Sequence, residues 1–398
     1  MEWKEVTATE YCSKIADGTH DSPKRQNFGK YLITSKHIKG HSIDFDNAYF
    51  ISEDDYQKII KRSKVDKWDV IISMIGEYCG FCYVEDSNFT DYAVKNVGIF
   101  KVGERIKSLW LYYYLTSPDG KAQLKSIRAG SSQPYISLGA LRDLIIPVPS
   151  IEKMKDIVSI LSSLDRKIEL NNKINADLEE MAQAIFKNWF VDFEPFKNGK
   201  FVDSELGMIP EGWNVGSPYE YVKVVYGAPY KSAKFNANGE GLPLIRIRDL
   251  KDCNPQFYTP EILPQTEYVN MGDIVAGMDA EFVPHIWKGK MGLLNQRVCK
   301  LIPQQTSISN LFVLYLMKPE LEFVQSYKTG TTVSHLGKAD IDKFVVVLPP
   351  LEVVEDCSKL LDSILQRIKN ISAESRTLSL LRDTLLPRLM SGELEIPE

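Results

Sequence analysis

The chain has 398 residues, of which 44% are hydrophobic and 25% are charged, and its formal net charge is −5 at pH 7. This length predicts two or three domains, and this composition excludes a disordered or collagen-like chain. The net charges of residues 1–150, 151–199, 200–350 and 351–398 are +1, −2, −1 and −3, so no segment has the excess of Lys and Arg that tight non-specific DNA binding needs.

The sequence predicts a cytoplasmic protein without a membrane partner. Its first residues lack the pattern of a signal peptide, and no apolar run reaches the ~18 residues that a membrane helix needs. The six cysteines are scattered, unlike those of a disulfide framework. Cys79 and Cys82 form a CxxC pair, but no second pair of zinc ligands lies nearby and the pair follows a predicted strand. We therefore expect two structurally inert thiols and no metal site.

Residues 1–149 predict a first mixed domain of short strands and one short helix. Apolar, β-branched runs at residues 69–75 and 97–102 are typical of strands, and an apolar helix is expected near residues 109–115. The last strand is expected at residues 143–148. Pro149 ends that strand, and Ser150 can cap the helix that follows.

A long helix is predicted in the segment 150–199, ending near residue 190. At ~1.5 Å per residue, about 37 residues make a rod of roughly 55 Å, which is too long to be buried in either flanking domain. Its apolar residues follow a heptad repeat, which predicts a narrow stripe that pairs with another helix. The predicted seam residues of this helix are Leu161, Leu164, Ile168, Asn171, Asn175, Leu178 and Ile185.

The second half of the chain repeats the first half at an offset of about two hundred residues. Residues 129–152 align with residues 329–352, and the helical stretch after each continues in step. Residues 200–349 therefore predict a second domain, and residues 350–398 predict a second long helix. The predicted seam residues of this second helix are Leu361, Ile364, Ile368, Ile371, Leu378 and Leu385. Between these anchors the loops of the two domains differ. Two domains that recognise different target sequences would need such a shared frame with different loops.

The expected fold is α+β, with two mixed α/β domains separated by two long antiparallel helices. The helices are expected to form an intramolecular coiled coil, and the whole chain a pseudo-twofold internal repeat. Asn171, Asn175 and Ser375 interrupt the apolar seam. A buried amide can fix the register of two helices when it is paired, and a splayed, wet seam is an equally good interpretation.

Polar and basic residues cluster in both predicted domains. DNA recognition needs Lys, Arg and hydroxyl groups on phosphates, and planar donors or acceptors on base edges. In the first domain the candidates are Thr19, His20, Lys24, Arg25, Ser35, Lys36, Lys39, Ser131, Ser132, Gln133 and Tyr135. In the second they are Lys231, Lys234, Arg246, Arg248, Lys251, Lys288, Lys290, Thr331, Thr332 and His335. Any one of them could instead be an ordinary solvated residue, and the repeated Gly-Ser-Ser and Gly-Thr-Thr loops could be plain turns.

The sequence contains none of the common motifs for catalysis. It has no Gly-x-x-x-x-Gly-Lys-Ser/Thr phosphate loop, no Gly-x-Ser-x-Gly motif and no Asp/Asn-Pro-Pro-Tyr/Phe tetrapeptide of adenine methyltransferases. We therefore expect a non-enzymatic reader of DNA that passes its substrate to partner proteins. One alternative is a protein-interaction scaffold with duplicated domains joined by a coiled coil, and another is the recognition part of a fused restriction-methylation protein.

Five segments combine with this organisation to indicate a known family: residues 17–24, 68–73, 161–172, 188–193 and 385–393. Through these segments the chain resembles the specificity subunit of a type I restriction-modification system. The resemblance implies two target-recognition domains, each reading one half of a bipartite double-stranded DNA site, and helices that bind methyltransferase subunits. It also implies recruitment of restriction/translocase subunits. No cofactor is expected in this chain, since S-adenosylmethionine, ATP and Mg belong to the partners.

Overall fold

The computed structural model describes residues 3–328, 335–394 and 396. The chain divides into two compact units: unit 1 contains Met1–Lys167 and Leu378–Glu398, and unit 2 contains Ile168–Thr377. Each unit therefore combines one β-rich part with one end of each long helix, so the compact units cut across the four segments predicted from the sequence. No helix in the described ranges is long and apolar enough to cross a membrane.

Unit 1 is built from short strands and helices. Its strands are β1 (Lys4–Thr7), β2 (Lys14–Asp17), β3 (Lys30–Thr34), β4 (Tyr49–Ile51), β5 (Val70–Ser73), β6 (Cys82–Val84), β7 (Tyr92–Lys95), β8 (Val97–Lys101) and β9 (Ile145–Val148). Its short helices are Ala8–Tyr11, Glu53–Ser63, Arg105–Thr116, Pro118–Ser126 and Leu138–Arg142. The helix expected near residues 109–115 is thus present and longer at both ends, and the last strand lies within the range expected for it.

The strands of unit 1 form two main sheets. The larger is antiparallel with the order β2-β8-β5-β6, and the smaller has the order β4-β3-β7, with β3 and β7 parallel. The first and last strands, β1 and β9, pair with each other. Trp110 and Phe100 are fully buried in the core between the larger sheet and its covering helices.

Unit 2 repeats this topology with additional strands. Its strands are β10 (Phe201–Ser204), β11 (Gly207–Pro210), β12 (Asn214–Gly216), β13 (Val222–Tyr226), β14 (Leu242–Ile245), β15 (Tyr258–Thr259), β16 (Tyr268–Val269), β17 (Ile274–Gly277), β18 (Pro284–Ile286), β19 (Gly292–Leu294), β20 (Val298–Pro303) and β21 (Val346–Leu348). Apart from the long helices and short 3-10 turns, its helices are Asn310–Lys328 and Lys338–Ile341. The order β13-β20-β17-β18 matches β2-β8-β5-β6, and β14 runs parallel to β19 as β3 does to β7. The internal duplication therefore extends to the strand order.

Two helices of 40 residues each run from one unit into the other: the central helix (Ile151–Phe190) and the C-terminal helix (Leu351–Met390). In unit 1, Leu161 of the central helix shares a core with Leu389, near the end of the C-terminal helix. In unit 2, Phe186 shares a core with Leu361, near the start of the C-terminal helix. Opposite ends meet in each unit, so the helices are antiparallel and the predicted pairing is confirmed.

None of the predicted seam residues is exposed. Leu161, Asn171, Asn175, Leu361, Ile364, Ile368 and Ile371 are buried, and Leu164, Ile168, Leu178, Ile185, Leu378 and Leu385 are half-buried. Asn171 Nδ2 donates to Glu374 Oε2 at 2.8 Å, and Asn175 Nδ2 donates to Ser372 Oγ at 3.0 Å. The amide nitrogens of both asparagines therefore bond across the helices, whereas Asn175 Oδ1 and the Ser375 hydroxyl have no partner among the described residues. This pairing favours the register interpretation over a splayed, wet seam.

Candidate nucleic-acid interface

Several chain segments meet at one end of the sheets in unit 1. The backbone N–H of Gly18 donates to Val97 O at 2.8 Å, that of Met74 donates to Asn96 O at 3.1 Å, and that of Ile136 donates to Met74 O at 2.9 Å. Because these bonds join backbone groups, the arrangement does not depend on the side chains that it presents. We define the turn cluster of unit 1 as residues 17–20, 34–39, 74–76, 95–97 and 133–136.

The same backbone bonds recur in unit 2. The N–H of Gly227 donates to Val298 O at 3.2 Å, that of Met278 donates to Arg297 O at 2.9 Å, and that of Leu336 donates to Met278 O at 2.7 Å. We define the turn cluster of unit 2 as residues 226–229, 245–251, 278–280, 295–298 and 335–336. The chain thus presents one type of surface twice, on a frame in which these three backbone hydrogen bonds of unit 1 recur in unit 2.

Each turn cluster contains a short 3-10 helix after a parallel strand: Ser35–His37 follows β3, and Ile247–Asp249 follows β14. The backbone N–H that precedes each helix donates to the last side chain of that helix, at 3.0 Å to the Nδ1 of His37 and at 3.0 Å to the carboxylate of Asp249. Burial lowers the pKa of His37, which favours the neutral imidazole that this bond requires. The His37 side chain is thus a buried support of the turn cluster, with 1% of its surface exposed.

The two short helices present basic side chains at matching positions. Lys36 and Arg248 are the second residues of their helices, Lys39 and Lys251 follow the helices by two residues, and all four are exposed. Lys39 Nζ lies 4.1 Å from the ring centroid of Tyr78. The sequence analysis selected Lys36 and Lys39 in the first domain and Arg248 and Lys251 in the second. The fold places each pair at the equivalent position of its unit.

Further predicted residues of unit 1 surround its turn cluster. The carbonyl of Thr19 accepts the N–H of Asn96 at 3.2 Å, and His20 Nδ1 lies 2.9 Å from Asn96 Oδ1. Lys24 and Arg25 are exposed in the loop that follows, with the Arg25 guanidinium 4.7 Å from the centroid of a tyrosine ring. This loop therefore extends the polar surface away from the sheet ends.

The hydroxyl-rich loop of unit 1 also reaches the turn cluster. Tyr135, which is 46% exposed, forms an isolated β-bridge with Ile75, directly after β5. Ser131, Ser132 and Gln133 are exposed on the same loop. The predicted counterparts Thr331 and Thr332 lie outside the described residues.

Ser35 and Arg246 support the turn clusters from within. Ser35 is 5% exposed, and its hydroxyl donates to Asn96 O at 2.6 Å. The Arg246 guanidinium lies 4.3 Å from the ring centroid of Phe257, and its Nε is 3.3 Å from the Asp249 carboxylate. Both side chains are therefore engaged by the protein, which argues for a structural role.

The predicted loop of unit 2 is partly tied to the protein as well. Lys234 Nζ lies 2.8 Å from Glu261 Oε1, and the N–H of Lys231 donates to Glu261 Oε2 at 2.9 Å. These bonds hold the pKa of the Glu261 carboxyl below its usual value. The Lys234 side chain is 51% exposed and Lys231 is also exposed, so both lysines remain accessible to a ligand.

Lys288 and Lys290 lie away from the turn cluster of unit 2. They follow β18, whose last residue, Ile286, pairs with Ile274 at the start of β17, whereas the turn cluster follows the end of β17. Lys288 Nζ is 2.7 Å from Glu179 Oε1 on the central helix. The structure therefore places these two candidates apart from the turn cluster of unit 2.

The structure adds residues that sequence reasoning did not select. Asn96 occupies the turn between β7 and β8 with a φ of 55°, a backbone conformation that asparagine tolerates better than most residues. In unit 2 three residues, 295–297, separate β19 from β20, where Asn96 alone separates β7 from β8. The bonds that Asn96 makes through its N–H and its carbonyl are made there by Gln296 N–H and by the Arg297 carbonyl. An asparagine between two predicted strands is a turn signal that could have located the first of these positions.

Metal and thiol chemistry find no support in the part of the chain that the structure describes. No group of three or more His, Cys, Asp or Glu side chains there could hold a metal ion. Cys79 and Cys82 are buried and free, and burial raises the pKa of both thiols. Both properties are those expected of a structurally inert pair.

Comparison with known proteins decides the family. The model of the type I restriction modification DNA specificity domain matches residues 1–180 and 210–378. The chain belongs to this family. It is 29% identical over 313 residues to the type I restriction enzyme MjaIX specificity subunit of Methanocaldococcus jannaschii, covering 74% of this chain and 70% of that protein. It is 24% identical over 417 residues to the putative MjaX specificity subunit of the same organism, covering 99% and 94%.

The fold agrees with this family. The crystal structure of the type I restriction-modification system S subunit from M. genitalium matches 98% of this chain and 96% of its own, with a TM-score of 0.54 and 15% sequence identity. At that identity the likeness concerns the fold alone. As a member of the specificity family, the chain is a DNA-recognition subunit and not an enzyme.

Proposed function

We propose that each unit reads one half of a bipartite double-stranded DNA site through its turn cluster. The observation that carries this proposal is the repeated backbone frame, which presents Lys36 and Lys39 in unit 1 where it presents Arg248 and Lys251 in unit 2. Basic side chains at matching positions suit the phosphates, which are the same in every sequence. Side chains that differ between the units suit the bases, which are not.

The charge of the protein agrees with this division of labour. A net charge of −5 and few exposed basic residues in each turn cluster give weak sequence-independent attraction to DNA. Affinity then depends on correct bases and on the assembled complex. The proposed setting is the cytoplasm, where the chain acts with the other subunits of its restriction-modification system.

The long helices are proposed to carry the methyltransferase subunits. Helices that pair through a buried seam usually have polar outer faces, but these outer faces have exposed apolar side chains. Those with the largest exposure are Leu170, Met181, Leu360, Leu380 and Leu381. S-adenosylmethionine would be held by the methyltransferase subunits, and ATP with Mg by the restriction/translocase subunits.

The length of the helices would set the spacer, which is the DNA between the two half-sites that neither unit reads. One matched heptad added to both helices should therefore change the length of the spacer and leave both half-sites intact.

Exchange of a domain tests the reading of two half-sites. Residues 1–149 are replaced by the matching segment of a specificity subunit with a different target, and genomic N6-methyladenine is mapped by sequencing in the host cell. One half of the methylated motif should change, and the other half should stay. Deletion of the gene is the control, and an unchanged methylation pattern after deletion would refute the proposed function.

Substitution on the outer faces of the helices tests the docking of methyltransferase subunits. Met181→Asp combined with Leu381→Asp should prevent co-purification with those subunits, because two charges would be placed in an apolar contact. Leu206→Asp is the matched control, since Leu206 is 49% exposed in the turn between β10 and β11. Equal co-purification of the double variant and the control would contradict the assignment.

A further inference from the structure

In unit 2 one carboxylate holds two exposed side chains at the edge of the turn cluster. His335 Nδ1 lies 2.7 Å from Asp279 Oδ1, and Arg297 Nη1 lies 3.2 Å from Asp279 Oδ2. The Asp279 side chain is 29% exposed, whereas those of Arg297 and His335 are 54% and 45% exposed. The backbone of Arg297 is also fixed, since its N–H donates to Asn295 Oδ1 at 3.2 Å. Both the base and the tip of this arginine are therefore positioned.

Unit 1 contains the same combination of side chains, drawn from different positions in its sequence. His20 Nε2 lies 3.0 Å from Asp17 Oδ2, and Arg62 Nη2 lies 2.7 Å from Asp17 Oδ1. His20 also contacts Asn96, which occupies the turn that corresponds to that of Arg297. A carboxylate that holds one exposed histidine and one exposed arginine thus occurs beside the equivalent turn in both units. In unit 2 the arginine lies in that turn itself, whereas in unit 1 it lies near the end of the helix Glu53–Ser63, so the two units present it from different positions.

The geometry leaves most of the Arg297 guanidinium available. Among the described residues its side chain bonds only to Asp279, and it does so through Nη1. A guanidinium has five N–H donors in one plane, and those on Nε and Nη2 have no partner among the described residues, so two neighbouring donors remain for a ligand. The carboxylate removes rotamer freedom before binding, and this pre-organisation favours a ligand that needs a fixed, bidentate partner.

The charge of the pair selects among the possible ligands on DNA. A phosphate placed on Arg297 would also face the negative Asp279, so the pair attracts phosphate less than a free arginine does. A base edge carries no net charge and does not suffer this repulsion. Guanine presents its O6 and N7 acceptors side by side in the major groove, and a bidentate arginine is their commonest specific partner.

We propose that Arg297 is a specificity-determining residue that reads a guanine in the half-site of unit 2, and that Asp279 is its positioning residue. This inference rests on the proposed function. Arg248, by contrast, is exposed on the same turn cluster without an ion pair in the described part of the chain, and it has the role of a phosphate contact.

The test maps the methylated motif in cells that carry Arg297→Ala, Arg297→Lys or Asp279→Asn in the full chain. In the alanine variant one guanine of one half-site should become degenerate, with its selectivity lowered about 5- to 150-fold, while the other half-site stays intact. The lysine variant keeps the charge but has no planar fork, so it should lose selectivity at the same position. Asp279→Asn should relax that position partly, because the arginine remains but is less well oriented.

The matched control is Arg248→Ala. It should leave the motif unchanged and lower the salt dependence of DNA binding by the assembled complex, by about one unit in the slope of log K against log salt. Arg297→Ala should leave that slope nearly unchanged, because the slope reports phosphate contacts and Arg297 is assigned to a base.

Three results would overturn the inference. The first is a methylated motif that keeps its guanines in Arg297→Ala, and the second is a change in both half-sites. The third is complete loss of methylation in both Arg297 variants, because that loss would indicate a structural role for Arg297. If only the alanine variant abolishes methylation, the lysine variant decides by whether it relaxes one guanine. Failure here is distinguishable from failure of the proposed function, because only the latter predicts that deletion of the gene leaves methylation unaffected.

Discussion

Alanine in place of Gly18 or Gly227 should disrupt the turn cluster of the unit concerned. These glycines are equivalent, and each lies where two backbone segments come unusually close. A Cβ on Gly18 would lie 2.3 Å from Val94 O, and a Cβ on Gly227 would lie 2.1 Å from Asn295 O. Both distances are well inside van der Waals contact, and a backbone carbonyl cannot rotate away as a side chain can. The strands must therefore separate.

The expected cost follows from that displacement. Restoring normal contact needs a shift of about 1 Å, and extra atoms forced into a packed site cost about 1–3 kcal/mol. For a folding unit of roughly 150–250 residues, each kcal/mol lowers Tm by about 2–4 °C, so a decrease of about 2–12 °C is expected. Melting curves of the full chain, followed by circular dichroism, measure it.

Gly139→Ala is the matched control in unit 1. Gly139 lies in the short helix Leu138–Arg142, and its nearest neighbour to a new Cβ is Ser137 Oγ at 3.8 Å. Alanine there should stabilise the chain by about 0.5–1 kcal/mol, because glycine is a poor helix former. The reasoning would be refuted if Gly18→Ala melted at or above the temperature of Gly139→Ala. In the cell, Gly227→Ala should impair recognition of the half-site of unit 2 alone.

Three further outcomes are expected. In a double-mutant cycle, Asn175→Ala and Ser372→Ala should show a coupling of about 0.5–1.5 kcal/mol in urea unfolding, because their hydrogen bond joins the buried helix seam; additive effects would mean that it contributes nothing. The folded pKa of Glu261 is lowered, so its stabilising contribution is complete above the ordinary carboxyl range and is lost as the pH falls through the folded pKa. Glu261→Gln should therefore flatten the decrease in Tm between about pH 6 and pH 3, and an unchanged decrease would contradict this. Iodoacetamide at pH 8 should label Cys79 and Cys82 slowly until the chain is unfolded, since both thiols are buried with raised pKa values; mass spectrometry showing rapid native labelling would contradict their assignment as inert.

The helices and their pairing could be predicted from the sequence because the signals are local. A heptad repeat is visible over a few turns, and a polar residue such as Asn171 stands out within an apolar stripe. The same stripe occurs again about two hundred residues later, with Leu361 in the place of Leu161. Pairing of the two stripes then needs no information about the rest of the chain.

The turn clusters could be predicted only in part, because their members are distant in sequence. Arg297 lies 18 residues from Asp279, and His335 lies 56 residues from Asp279, so nothing local marks them as partners. Conversely, Lys251 and Lys288 look alike in the sequence, where both are basic residues. Only the strand register places one in the turn cluster and the other beside the central helix.

The two units also show why the loops of such a chain can diverge while its frame persists. The 3-10 helices are capped by the His37 imidazole in one unit and by the Asp249 carboxylate in the other, although these groups share little except an acceptor in the right place. The bonds from Gly18 to Val97 and from Gly227 to Val298 use backbone atoms only. A frame held by backbone bonds and by interchangeable acceptors constrains few side chains on its surface. Those side chains are then free to differ between the units, which is what a protein with two different half-sites requires.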